Sequence, residues 1–140
     1  MSNDLMRFSV SMPEDLLMEF DELVAQRGIM KNRSEVIRDL VREALVENEC
    51  ETPGQEVIGS LSIVYNHHAT DLESTLHDIQ HHYLANVVSS MHVHLDADNC
   101  LEVIVLRGMA EAVNKIANVI LGTRGVKNGK LVMTTVDQNR

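Results

Sequence analysis

The sequence predicts an α+β fold in two units: an N-terminal strand–helix–helix segment that completes its core only as an intertwined dimer, and a C-terminal βαββαβ unit of ferredoxin-like, ACT-like topology. Three observations carry this expectation. Apolar residues alternate over Arg7 to Met12 and then recur at helical spacing in two successive segments. Thr52, Pro53 and Gly54 interrupt the pattern as a linker would. Strand and helix signals then follow in the order strand, helix, strand, strand, helix, strand. The expected boundaries are 1–50 for the first unit, 51–56 for the linker and 57–140 for the second unit.

In the first unit, Phe8, Val10 and Met12 fall on one face of a short strand, with Arg7, Ser9 and Ser11 on the other. Pro13 suits the first turn of a helix, and Glu14 and Asp15 sit at its positive end. Leu16, Leu17, Phe20, Leu23 and Val24 make that helix's apolar stripe, and Gly28 stops it. A second helix begins at Asn32, with Glu35 placed for a capping box and a stripe of Val36, Ile37, Leu40, Val41, Ala44 and Leu45. A strand and two helices in about 50 residues bury little apolar surface alone. The strand also has no partner within the segment. Two chains solve both problems by pairing their strands as an antiparallel ribbon over a four-helix core.

The second unit reads as strand 57–66, helix 70–86, strands 88–95 and 99–107, helix 109–122 and strand 130–136. Composition narrows the function. The chain of 140 residues has a net charge of −9, so any grip on nucleic acid comes from a local patch assembled by dimerisation. Aromatic residues are 3% and Trp is absent, which argues against base-stacking modules. No apolar run approaches the roughly 20 residues of a membrane span, and no basic-then-apolar leader opens the chain. A cytoplasmic protein with no membrane partner is expected, and in that compartment Cys50 and Cys100 should not be disulfide-bonded.

Of seven histidines, five lie between His77 and His94. His92 and His94 are two apart on a strand, so both rings leave the same face. Register, argued from hydrophobicity, puts Val93 and Leu95 on the core face with Leu101 and Val103, and pairs His94 with Glu102. Cys100 then joins His92, His94 and Glu102 on the opposite face, so two imidazoles and a thiolate converge at one sheet edge. His81 lies almost opposite its helix's stripe of Leu72, Leu76, Ile79 and Tyr83. Facing away from its own core, it is better placed to complete a site in a neighbouring subunit. Three imidazoles and a thiolate exclude calcium and magnesium and suit Zn(II), Cu(II), Ni(II) or Co(II). His77 and His81, spaced i, i+4, could also hold a metal as a pair or none. His67, His68 and His82 read as surface residues, with a secondary metal contact as the alternative.

The run Gln80-His81-His82, the His92-Val93-His94 triplet and Cys100-Leu101-Glu102 resemble the nickel site of NikR regulators. Asn32-Arg33-Ser34-Glu35 with Ile37-Arg38-Asp39 resembles the second helix of that family's ribbon-helix-helix domain, and the likeness runs through nearly the whole chain. The resemblance implies a nickel-dependent repressor of nickel-uptake genes, not an enzyme. Ni(II) would be bound in a plane by His92, His94 and Cys100 of one subunit and His81 from the other dimer of a homotetramer, with Gln80 and Glu102 supporting the ligands from behind. It implies that paired N-terminal strands enter the major groove of double-stranded operator DNA and read it with Arg7, Ser9 and Ser11. Ser stands at positions where relatives often carry Thr, so the operator is expected to differ. Glu35 and Asp39 resemble a weaker cation site. The rival readings are a zinc- or copper-responsive regulator on the same scaffold and an antitoxin-type ribbon-helix-helix repressor with a non-metal ligand. A metalloenzyme using Cys100 as nucleophile is a third, but no oxyanion-hole motif accompanies that cysteine.

Overall fold

A computed structural model describes residues 4–136. Contacts divide the chain into two compact units, one ending at Arg42 and the other starting at Glu43. The division falls inside a helix, eight residues before the boundary expected from sequence.

The first unit contains α1 (Glu14–Gln26) and the start of α2 (Arg33–Glu51). Pro13 is the residue before the first helical one, a position earlier than expected. Gly28, at φ 131°, supplies the positive dihedral that ends α1. The capping box forms as read: the Glu35 N–H donates to Asn32 Oδ1 at 2.9 Å, and the Asn32 N–H donates to Glu35 Oε2 at 3.3 Å. Arg33 ties α2 to α1 through two hydrogen bonds to the Asp21 carboxylate, both 2.7 Å. That guanidinium holds the Asp21 carboxyl below its ordinary range.

The expected strand over Arg7–Met12 does not form in the single chain; residues 4–13 adopt no regular structure. The physical reason is that a ribbon strand takes its ladder hydrogen bonds from another strand, and none pairs with it here. The apolar side of the segment stays open accordingly, with Phe8 73% and Val10 64% exposed. On α1 no residue is fully buried, and Leu16 and Met18 are largely exposed.

The second unit is a four-stranded antiparallel sheet with helices against one face. Its elements are β1 (Glu56–Asn66), α3 (Leu72–His82), β2 (Val87–His94), β3 (Asn99–Met109), α4 (Ala110–Leu121) and β4 (Val126–Thr135). Strand order is β2-β3-β1-β4, the ferredoxin-like arrangement. The end of α2 belongs to this unit. It runs through Glu51 into the stretch read as linker, and Cys50 is buried in the core there. On α4, Ala110, Val113, Ile116, Ala117 and Ile120 form a buried stripe at helical spacing. The helix sits close because β1 has Gly59 beneath it: a Cβ there would lie 2.9 Å from Val113 Cγ1. On α3, Leu72 and Leu76 are buried and Ile79 and Tyr83 pack at the margin, the stripe read from the sequence.

Register and core face both differ from expectation. His94 pairs with Cys100, and His92 with Glu102. The helix-covered face of β3 is Cys100, Glu102, Ile104 and Leu106, all buried, while Leu101, Val103 and Val105 are half-buried on the other face. The donor-bearing face is therefore the core face. β3 is apolar on both sides, so hydrophobicity alone cannot say which side the helices cover. β4 begins at Val126 rather than near residue 130, because Tyr65↔Val126 extends the ladder past a register shift through polar residues.

Candidate metal centre

Antiparallel pairing lays two rows of side chains across the end of the sheet. One row is Tyr65, Cys100, His94; the next is Ile63, Glu102, His92. All six leave the same face because each row is fixed by direct cross-strand partners. The rows run from the buried centre to the exposed edge strand: Tyr65 and Cys100 are fully buried, and His94 is exposed.

In the first row, Cys100 Sγ lies 3.4 Å from His94 Nδ1. His67, one strand-repeat beyond Tyr65, turns into the same place. Donor atoms of His67, His94 and Cys100 all lie within 4.8 Å of one another, the one such group of metal-binding side chains among the described residues. The loop Asp96–Asn99 that joins β2 to β3 is held by Asp96, whose Oδ1 accepts from the N–H groups of Asp98 and Asn99, both at 2.8 Å. Those hydrogen bonds, Asn99's side chain foremost, hold the Asp96 carboxyl below its usual value. Burial pushes the Cys100 thiol up, and the carboxylates of Glu73, Asp96 and Glu102 add to it. Without a cation beside it the sulfur is a thiol; a metal ligand must be a thiolate.

In the second row, Glu102 is a buried carboxylate, 1% exposed. It accepts from Gln80 Nε2 on α3 at 2.5 Å and from the Tyr65 hydroxyl at 3.2 Å. His92 Nε2 lies 2.8 Å from Glu102 Oε1. A ring nitrogen that close to a carboxylate carries the proton, which leaves His92 Nδ1 as the lone-pair nitrogen, 3.2 Å from the Tyr65 hydroxyl. Burial, with the Glu102 charge next, raises the Tyr65 hydroxyl far above its ordinary pKa. Gln80 and Glu102 thus do touch, and Glu102 holds one of the expected ligands.

The remaining candidates fall in several places. His81 is exposed on α3, as its helical phase required, and stands apart from the donor group. His77 and His82 are exposed. His68 is exposed, with its Nε2 3.0 Å from the Ala97 carbonyl. Arg7, Ser9 and Ser11 are exposed in the segment without regular structure. Glu35 is occupied by the capping box, and Asp39 binds the Lys31 ammonium at 2.5 Å. The hollow beside them also takes in Arg38 and Arg42, so three cationic side chains face two carboxylates there. His67 is the residue that sequence reasoning left at the surface, with a metal contact only as the alternative. It lies one residue past the end of β1, so the strand's period does not by itself assign it to the face that holds Cys100.

The donor chemistry fits a borderline or soft divalent ion. A thiol and imidazoles have converged at one point, with a carboxylate orienting a further ring behind them. The carboxylate-rich oxygen cage of a calcium or magnesium site is not what these residues make.

Comparison with known proteins agrees with this chemistry. Residues 58–134 match the NikR C-terminal nickel-binding domain, and residues 6–47 match the ribbon-helix-helix proteins of the copG family. Relatives that carry the name nickel-responsive regulator are similar along almost their whole length. One from Geobacter sulfurreducens is 51% identical over 135 residues, covering 96% of each chain. One from Pyrococcus furiosus is 49% identical, covering 96% of this chain and 97% of its own. One from Caldanaerobacter subterraneus is 49% identical, covering 96% and 87%. With a ribbon-helix-helix segment ahead of a matching metal-binding domain, the chain belongs to the NikR family of regulators, which are not enzymes.

Proposed function

We propose that the protein is a nickel-dependent, DNA-binding transcriptional repressor that acts in the cytoplasm on genes for nickel uptake. The observation that carries the reading is the Cys100–His94 pair at 3.4 Å, with His92 oriented by Glu102 in the adjacent row, inside a domain that matches a nickel-binding family. In this reading His92, His94 and Cys100 hold Ni(II) with His81 from a subunit of the other dimer in a homotetramer. The exposed, outward phase of His81 supports a ligand that serves another chain. When bound, the ion supplies a positive charge that keeps Cys100 a thiolate and a bond that joins two subunits. The protein's own residues do the rest. Glu102 fixes the tautomer of His92, Gln80 and Tyr65 hold Glu102, and the Asp96 loop sets the spacing of His94 and Cys100.

The apolar residues left open at the N-terminus support pairing with a second chain. Paired strands would present Arg7, Ser9 and Ser11 to the major groove of double-stranded operator DNA, Arg toward guanine and Ser toward several base edges. Nickel and operator must favour each other by the same factor if both bias one arrangement of the tetramer. The test is a gel shift on the promoter of this protein's own nickel-uptake genes, with and without Ni(II). Wild type should bind more tightly with nickel, and His94→Ala and Cys100→Ala should not respond to it. Operator binding indifferent to both the metal and the substitutions removes the sensing function and leaves a plain repressor.

A further inference from the structure

We infer that Lys127 is a positioning residue: from β4 it braces, through Asn99 and Asp96, the loop that sets His94 beside Cys100. The inference rests on the reading of His94 and Cys100 as nickel ligands. It adds a residue from a strand that carries none of the proposed ligands.

Lys127 owes its aim to a bulge. β1 and β4 pair residue by residue from Val57↔Thr135 to Val64↔Asn128, and the next pair is Tyr65↔Val126. Lys127 is therefore the extra residue of β4, with no partner on β1. A bulge releases one residue from the ladder and re-aims its side chain. β1 lies between β4 and β3 in the sheet. Lys127 reaches past it, and its Nζ donates to Asn99 Oδ1, at the start of β3, at 2.5 Å.

From Asn99 the contacts run on into the loop. The Nδ2 of the same amide donates to both Asp96 carboxylate oxygens, at 3.2 and 3.1 Å. The amide thus turns its acceptor to a cation and its donor to an anion, the one orientation that satisfies both. A cation on its oxygen polarises it and strengthens the bonds its NH₂ makes to the carboxylate. Asp96 Oδ1 also accepts from the Asp98 and Asn99 N–H groups, both at 2.8 Å, and the Leu95 N–H donates to the Asn99 carbonyl at 2.9 Å. His94 immediately precedes this closed loop and Cys100 immediately follows it. The 3.4 Å approach of Cys100 Sγ to His94 Nδ1 is thus set by a loop whose outermost hold is on β4.

Lys127 is exposed, and exposed charged contacts contribute little to folding stability. Its effect belongs to the metal-free loop. If that loop loosens, only a fraction of molecules present His94 and Cys100 together, and apparent affinity falls by that fraction. Charge acts with the opposite sign. Taking a cation away from the neighbourhood of a bound cation tightens binding. The direction of the change therefore separates bracing from charge.

The test uses the full-length protein, with Ni(II) affinity measured by competition with a chromogenic chelator. Lys127→Met should weaken Ni(II) about fivefold, as a competent fraction of about one fifth requires. Lys127→Arg keeps a cationic donor and should bind within about twofold of wild type. The double variant Lys127→Met/Asn99→Ala should bind no more weakly than Asn99→Ala alone, because the brace passes through one amide. In the metal-free protein, deuterium uptake across residues 95–100 should be faster in Lys127→Met, while uptake across α4 stays at the wild-type rate. Unchanged or tighter nickel binding in Lys127→Met, no rescue by Arg, additive losses in the double variant, or unchanged loop exchange overturns the inference and leaves the nickel reading standing. Cys100→Ala that binds nickel like wild type overturns the nickel reading instead.

Discussion

Substituting Glu102 by Gln and by Ala should separate the carboxylate's effect on metal affinity from its effect on stability. Glu102 is 1% exposed and faces three donors: Gln80 Nε2 at 2.5 Å, His92 Nε2 at 2.8 Å and the Tyr65 hydroxyl at 3.2 Å. In Glu102→Gln one oxygen still accepts from His92, and Gln80 can turn its amide over to meet the new NH₂. Stability of the metal-free protein should then change by less than about 1 kcal/mol, since no buried donor is orphaned. In Glu102→Ala the Tyr65 hydroxyl can turn to His92 Nδ1, 3.2 Å away, and the half-exposed His92 can reach water. The half-buried Gln80 amide loses its acceptor, so a loss of about 1–3 kcal/mol is expected. Metal binding should grade the other way around the charge. Gln keeps the ring oriented but removes the anion that raises its basicity, giving about a tenfold loss of Ni(II) affinity; Ala removes both, giving about 100-fold. Those factors equal about 1.4 and 2.8 kcal/mol.

The assays are chelator competition for Ni(II) and urea unfolding of the metal-free protein by circular dichroism, at one fixed protein concentration because assembly shifts apparent stability. A Gln variant as stable as wild type but tenfold weaker for nickel is the diagnostic result. Wild-type nickel affinity in both variants would refute the argument that Glu102 prepares His92 as a ligand. A nickel loss in Glu102→Gln matched by an equal loss of stability would refute the separation of the two effects.

Other perturbations have equally definite outcomes. Asn32→Ala removes one side of the capping box and should lower stability by about 0.5–2 kcal/mol in urea unfolding, with nickel affinity unchanged. Gly59→Ala places a Cβ 2.9 Å from Val113 Cγ1 and 3.0 Å from Leu131 Cδ1; the overpacking should cost about 1–3 kcal/mol, read as a lower melting temperature. Ile116→Ala, in the buried stripe of α4, should cost about 2–5 kcal/mol by the same measurement. Arg7→Ala should leave nickel affinity intact and weaken operator binding in the presence of nickel by about 1–3 kcal/mol in a fluorescence-anisotropy titration.

The parts of the fold that declare themselves in the sequence are those whose cause is local. The α4 stripe, the α3 stripe and the Asn32–Glu35 capping box need only helical spacing and a neighbour three residues away, and all are found. Strand order followed from the order of elements. The core face of β3 was not legible, because Leu101, Val103 and Val105 match Ile104 and Leu106 in hydrophobicity, and only tertiary packing decides which row the helices cover. Cys100 and Glu102 looked like solvent-facing residues when they are the buried end of the core row. The start of β4 was hidden because Lys127, Asn128, Gly129 and Lys130 carry no strand signal, and β1 imposes the ladder on them. Arg7–Met12 reads as a strand but cannot hydrogen-bond as one alone. In the site, the His92–Val93–His94 triplet was plain from period two. His67 was not, since it follows the strand's last residue and is brought in by the Asp98 carbonyl, 31 residues away in sequence.

That the donors lie on the core face changes how the site connects to the rest of the domain. Gln80 and His81 are consecutive on α3, so their side chains leave the helix axis about 100° apart. Gln80 turns inward and bonds to Glu102, which in turn holds His92. His81 turns outward, where the proposed function gives it to another subunit. A shift of α3 that seats His81 on a neighbour's ion therefore also moves the amide that braces Glu102 in its own chain. Had the donors lain on the open face, as hydrophobicity suggested, Gln80 could not reach Glu102 and the two ends of α3 chemistry would be unrelated. With Glu102 within reach of Gln80, the His81 ligation proposed above would couple two metal sites through hydrogen bonds already in place.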